Sequence, residues 1–263
     1  MRKILMASAA LSLMAVAAAC SGGEKAAPDA ASSGAPASVE TGAVAADRDH
    51  LEAMRAEIAV VDMHPDVSFL TPEEREVVNL LNKAANLMSE IYLRQVSAEN
   101  PATRDEIAAS DSPDKALLLD LFDLHFGPWD TLDHNKPFWG DKPLPDGAGF
   151  YPADMTKEDF DAWIAAHPED EAAFKSGYTV ISHTPTGGLE AVPYSEHYRE
   201  WLEPAAALLR EAAAITTNES LKKFLTLRAD AFLSDDYYES EMAWMDLDGP
   251  IEVAIGPDRK SVV

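Results

Sequence analysis

The sequence predicts a mainly α-helical fold with a few short strands, an α+β arrangement. Three observations carry this expectation. Between Pro72 and Val96 apolar residues recur every three or four positions, so that Val77, Leu81, Ala84, Met88, Ile91 and Gln95 share one face. Helix-start signals follow one another along the chain, each a Ser, Thr or Asn ahead of a helical period. Only one hairpin signal is clear: Tyr178 to His183 and Leu189 to Tyr194 flank Pro185, Thr186, Gly187 and Gly188, whose glycines tolerate the positive backbone angles of a turn.

In chain order, Met1 to Ala19 reads as a signal peptide. It has basic Arg2 and Lys3, an apolar run from Ile4, and small residues before Cys20. Cys20 is the sole cysteine, placed where lipoprotein maturation would cleave and acylate it, and without a second cysteine no internal disulfide can form. Residues 20–46 are rich in Ala, Ser, Gly and Pro, and are expected to be a flexible tether. The folded lobe is expected over residues 47–257, starting where Leu51, Met54 and Ile58 take helical spacing. Short extended segments are predicted at Val60 to Met63 and Val67 to Leu70, split by His64 and Pro65.

Thr71, Pro72 and Glu74 combine an N-cap, a first-turn proline and a capping box, which predicts a helix from Pro72 to about Val96. Ser112 and Pro113 open another through Leu118, Phe122 and His125. Gly127 to Met155 holds five prolines and four glycines, and no apolar period survives there. Trp129, Asp130, His134, Phe150 and Tyr151 from this stretch are the candidate cleft-lining residues. The competing reading is that its aromatics seal a hydrophobic edge. Thr156 with Asp159 predicts a helix up to Pro168; Ser195 is expected to cap a long helix that bends at Pro204, and Asn218 to cap the next. Ser234, Asp235 and Asp236 are expected to favour a helix N-terminus, with Tyr238, Met242 and Met245 on a core-facing side and a strand after Gly249.

The formal charge of −25 argues against nucleic acid as a partner, because Lys and Arg must replace phosphate counterions. None of the seven histidines is followed by Glu, so the simplest helical zinc-hydrolase motif is absent. Asp123, His125, Asp130, Asp133 and His134 fall within twelve residues and could converge on a metal. Loops rich in Asp and His arise readily in an acidic chain, and the spacing here does not show the ligand geometry a metal site needs. The acidic run from Asp235 to Asp248 lacks the alternate-acid order and central glycine of a calcium loop. Ser195 and His197 stand two apart on a helical stretch and do not face each other, so they make no nucleophile pair.

Several stretches together resemble bacterial members of the dipeptidyl peptidase III family of zinc metallopeptidases. They are Leu70 to Arg75, Ala84 to Gln95, Phe126 to Asp133, Asn135 to Phe138, Gly149 to Lys157, Val192 to Ser195 and Phe232 to Pro257. The resemblance implies one lobe of a two-lobed enzyme that removes dipeptides from peptide N-termini. In that family a His-Glu-x-x-Gly-His helix motif and a later Glu hold the zinc. No residue of this chain matches that motif, so no catalytic or metal residue is carried over. After Gly256 and Pro257 family members continue with a Tyr-Glu-x-Tyr-Glu-Asp-like segment, whereas this chain reads Asp258-Arg-Lys-Ser-Val-Val263. The resemblance therefore implies a truncated, non-zinc N-terminal lobe with an aberrant tail over residues 258–263. Zinc is expected for the full-length enzyme and none on this chain. The expected partners are a peptide substrate and, through Cys20, a membrane; the expected location is the cell envelope, on the periplasmic side in a Gram-negative cell. The alternative is a non-catalytic envelope lipoprotein that binds a peptide or a protein partner.

Overall fold

A computed structural model describes residues 45–261, all within the compact unit Gly42–Val263. The expected signal peptide, Cys20 and nearly all of the tether lie outside the described residues. The main core is built on three helices: α2 (Pro72–Val96), α8 (Arg199–Ile215) and α9 (Glu219–Ser234), with α8 between the other two. Helix α2 begins as its sequence dictates. Thr71 Oγ1 accepts the Glu74 N–H at 3.2 Å, and Glu74 Oε2 accepts the Thr71 N–H at 2.8 Å. Its apolar face buries Val77, Leu80, Leu81, Ala84 and Ile91. On α8, Ala205, Ala206, Ala212 and Ala213 are buried beside Leu202 and Leu209, and these small side chains let neighbouring helices approach closely. Arg94 seals the α2–α8 junction by lying 3.9 Å above the Trp201 ring. Asn218 caps α9 as predicted, its Oδ1 accepting the Leu221 N–H at 2.9 Å.

A second core joins α1 (Arg48–Glu57) to α4 (Lys115–His125) through Leu51, Met54, Ile107, Leu118, Leu121 and Phe122. Ile107 belongs to α3 (Asn100–Ala109), a helix not among those expected from the sequence. Its first residue is fully buried, and Asn100 Nδ2 donates to both Leu93 O at 2.9 Å and Phe126 O at 2.8 Å. One side chain thus satisfies the last carbonyls of two helices. The Gly127 to Met155 stretch begins with a minimal hairpin, β1 (Trp129–Asp130) with β2 (Lys136–Pro137), and then drops Phe138 and Trp139 into this second core. Sealing a hydrophobic edge is therefore the role of those two rings.

The third core lies between α5 (Lys157–Ala166), capped by Thr156 and Asp159 as predicted, the short α6 (Glu171–Phe174), and the hairpin β3 (Thr179–His183) with β4 (Leu189–Pro193). Gly187, at φ +87°, makes the turn. Phe150 O accepts the Ile181 N–H at 2.8 Å, and the Gly149 N–H donates to Gln95 O at 2.9 Å. The chain there bridges the end of α2 and the edge of β3.

Several expectations need correction. Val60 to Met63 and Val67 to Leu70 form no strand; among the described residues no segment pairs with them, and Val60, Val61 and Met63 are exposed. Ser112 does not cap a helix directly: its hydroxyl accepts the Asp114 N–H at 3.2 Å in a preceding turn, and α4 starts at Lys115. Ser195 lies inside the short α7 (Tyr194–His197), while α8 opens after Tyr198 without a side-chain cap and runs through Pro204. Asp235 ends α9 in the left-handed conformation, at φ 60°, instead of starting the next helix. On α10 (Tyr238–Met245), which packs against α9, Tyr238, Met242 and Met245 face outward at 68%, 45% and 72% exposure. Residues 251–255 make no strand: among the described residues no backbone segment pairs with them.

Candidate functional site

The stretch from Phe232 to Pro257 builds one wall of an open cleft of about 480 Å³, facing Tyr178 and floored by Arg228. Its corner is fixed by Asp235. That carboxylate accepts the Ser195 N–H at 3.0 Å and the Ser195 hydroxyl at 2.6 Å, tying the end of α9 to α7. Burial nevertheless raises the Asp235 pKa, because desolvation outweighs the Ser195 hydrogen bonds. The turn sets Tyr237 onto Tyr178, with ring centroids 4.4 Å apart and planes inclined by 16°. Tyr178 meets Tyr194 edge-on at 6.0 Å, and Tyr194 meets Tyr198 at 5.1 Å, so a row of rings runs from the cleft into the main core. Burial raises the phenol pKa along this row, at Tyr178, Tyr194, Tyr198 and Tyr237.

Arg228 enters from α9 and is 6% exposed. Its Nη1 donates to Ile255 O at 3.1 Å and its Nη2 to Glu241 Oε1 at 2.9 Å, while the guanidinium lies 5.4 Å from the Tyr237 ring. One buried cation thus links the segment before Gly256 to α10. The opposite end of that segment is pinned by Asn218 Nδ2, which donates to Asp248 O at 2.7 Å. Trp244, 37% exposed, completes the rim.

The five sequence-predicted cleft residues are not assembled in one place. Trp129 is buried, donates from Nε1 to Lys142 O at 2.9 Å, and lines a separate cleft of about 580 Å³ with Glu99, Trp139 and Lys142. Asp130 is buried beside it and accepts the Leu132 N–H at 2.9 Å. His134 is exposed at the hairpin tip with φ 54°. Phe150 stacks over Tyr194 at 6.4 Å in the main core, and Tyr151 lies edge-on to Phe160 at 5.8 Å and lines a third, smaller cleft.

Of the five Asp and His residues that fall together in sequence, four are separately engaged. Asp123 takes a two-pronged bond from Arg104, Asp133 pairs with Lys136, and Asp130 turns to the backbone. His125 is buried with Nδ1 accepting the Thr131 N–H at 3.2 Å, and burial lowers its pKa. The folded state therefore favours neutral imidazole, and just below its ordinary pKa of about 6.5 the unfolded chain binds more protons. Stability should fall as pH drops through that region and level off below the folded pKa. Urea midpoints between pH 8 and pH 5 check this, with a flatter profile expected for His125→Gln.

The residues that organise the cleft, Tyr178, Arg228, Tyr237 and Glu241, were not picked out as a site from sequence. One signal was available. Arg228 occupies an otherwise apolar helical face, and a polar residue there must find a buried partner.

The fold and cleft together define a mainly helical lobe with two short antiparallel strand pairs and an aromatic, open cleft near residue 257. No protein-family model matches the chain. It is 50% identical to dipeptidyl peptidase III from Caldithrix abyssi, with a TM-score of 0.75 over 78% of this chain and 39% of that one. It is 41% identical to dipeptidyl-peptidase III from Corallococcus sp. strain EGB, with a TM-score of 0.76 over 81% of this chain and 40% of that one. Nudix hydrolase 3 of Arabidopsis thaliana is 32% identical over 75% of this chain and 32% of its own length. The chain belongs to the dipeptidyl peptidase III family, and it spans about two fifths of the two solved structures and a third of the plant relative.

Proposed function

We propose that this chain is part of a zinc-dependent dipeptidyl peptidase, that it contributes a peptide-holding wall, and that it has no peptidase activity alone. The observation that carries this reading is the 41–50% identity to the two dipeptidyl peptidase III structures over about four fifths of the chain. In an enzyme of this class the metal supplies an activated water. The residues described here do not fit that ion: among them no three His, Cys, Asp or Glu side chains come together, and the nearest candidates are bound to Arg104, Thr131, Lys136 and backbone. No step is therefore routed through a metal on this chain.

What the cleft offers is binding. Tyr178, Tyr237 and Trp244 present ring faces and edges to an apolar side chain, and the Arg228–Glu241 pair sets a fixed charge pattern beside them. Tryptophan fluorescence on titration with an N-terminally free oligopeptide should saturate. Trp244→Ala, at a partly exposed position, should abolish that binding without unfolding the chain; binding unchanged in Trp244→Ala would place the peptide elsewhere.

The alternative of a non-catalytic envelope lipoprotein draws support from the same cleft, since binding needs no metal. In both readings the chain is exported and anchored through Cys20 in the cell envelope, on the periplasmic side if the cell is Gram-negative. Radiolabelled palmitate should enter the wild-type protein in cells and not Cys20→Ala; labelling of both, or of neither, would remove the anchor.

A further inference from the structure

Residues Asp258–Ser261 are gripped by the lobe along their whole length. The Gln95 side-chain amide engages the Asp258 backbone twice, its Nε2 donating to the carbonyl at 3.0 Å and its Oε1 accepting the N–H at 3.1 Å. Further along, the Lys260 N–H donates to Gly177 O at 2.9 Å, and the Tyr151 hydroxyl donates to Ser261 O at 3.0 Å. Between these backbone contacts the Lys260 side chain enters a closed pocket. Its Nζ donates to Phe174 O at 2.8 Å and Thr179 Oγ1 at 2.9 Å, and lies 5.2 Å from the Tyr151 ring. Lys260 is 4% exposed, which is rare for a lysine, and its hydrogen-bond acceptors are neutral groups.

The two kinds of contact divide the work of recognition. A side-chain amide that pairs with both backbone groups of one residue holds any extended segment, in the manner of an added strand. The lysine pocket adds selectivity. It offers two oxygen acceptors and a ring face to a compact ammonium, and a guanidinium would bring donors that find no acceptor there. Arg259, by contrast, points away and lies 5.4 Å over the Tyr178 ring at the edge of the cleft.

We propose that Gln95, Tyr151, Phe174, Gly177 and Thr179 form a recognition groove for an extended peptide segment carrying a lysine two residues beyond the one Gln95 grips, and that Asp258–Ser261 fills it in cis. Desolvation lowers the Lys260 pKa to about 8, so the pocket takes the charged side chain at a cost that its hydrogen bonds must offset. The groove adjoins the Arg228 cleft, whose wall includes Asp258 and Arg259, and its selectivity for lysine rests on Phe174 and Thr179, which do not line that cleft.

The test uses the full chain and a labelled octapeptide with the sequence of residues 256–263, read by fluorescence anisotropy. Lys260→Ala loosens the cis segment and should bind the octapeptide saturably, whereas the wild-type groove, facing an effective concentration in the millimolar range from its own tail, should bind about tenfold more weakly. Replacing the peptide's lysine by methionine, or adding Thr179→Val to the Lys260→Ala chain, should weaken binding by about tenfold or more through loss of a charged hydrogen bond. In parallel, trypsin should cut after Lys260 far more slowly in the wild type than in Gln95→Ala, with matching far-UV circular dichroism showing that the variant is folded. Should Gln95→Ala fail to fold, the octapeptide experiment still decides. Equal affinity for the lysine and methionine peptides, absence of saturable binding to Lys260→Ala up to about 1 mM, or equal cleavage in wild type and a folded Gln95→Ala each overturns the proposal.

Discussion

A single methyl group added by Gly149→Ala is expected to destabilise the chain by about 3 kcal/mol or more, at the upper end of overpacking effects. The position offers no room: a Cβ would run into the Arg94 carbonyl oxygen and lie 2.9 Å from its carbon and 3.1 Å from Ala98 N. These are backbone atoms at and just beyond the end of α2, so no side-chain rotation relieves the clash. The same glycine donates to Gln95 O, and the next residue accepts from β3, so moving it would pull on the main core and the hairpin together. The denaturant midpoint should fall sharply. Gly188→Ala provides the comparison, because its Cβ would meet side-chain atoms no closer than 3.3 Å and should cost far less.

The second large effect is expected at Arg228. Arg228→Ala should cost about 3 kcal/mol, from the lost packing of the long side chain and the acceptor left at Ile255 O. Glu241 adds little to that figure, since it is half exposed and can turn to water. Arg228→Lys should recover only part of the loss, because one ammonium cannot reproduce the forked contact to Ile255 and Glu241. Equilibrium unfolding measures both.

Much of the helical architecture was legible in the sequence because its signals are local. Thr71 with Glu74, Thr156 with Asp159, and Asn218 each fix a helix start through contacts within three residues, and the structure makes all three. The hairpin at Gly187 and Gly188 was legible for the same reason. Readings that failed depended on distant partners. Ser195 resembles a cap but its hydroxyl is taken by Asp235, forty residues away. Asp235 resembles a helix start, yet its left-handed backbone and buried bond to Ser195 make it a helix end. Residues 251–255 have strand composition, but a strand exists only where another lies beside it. Tyr238, Met242 and Met245 show that an apolar helical stripe need not face this chain's own core. The site was hardest to read, since Tyr178, Arg228, Tyr237 and Glu241 converge from β3's flank, α9 and α10. Only the misplaced polarity of Arg228 on an apolar face pointed toward it.

The central claim, that this chain holds peptide but carries no metal chemistry of its own, is tested most directly by dipeptide release from a dipeptidyl arylamide. The purified 263-residue chain should be assayed with and without added zinc. No release above the uncatalysed rate is expected at any zinc concentration. Zinc-dependent release that is saturable in substrate and abolished by a chelator would contradict it.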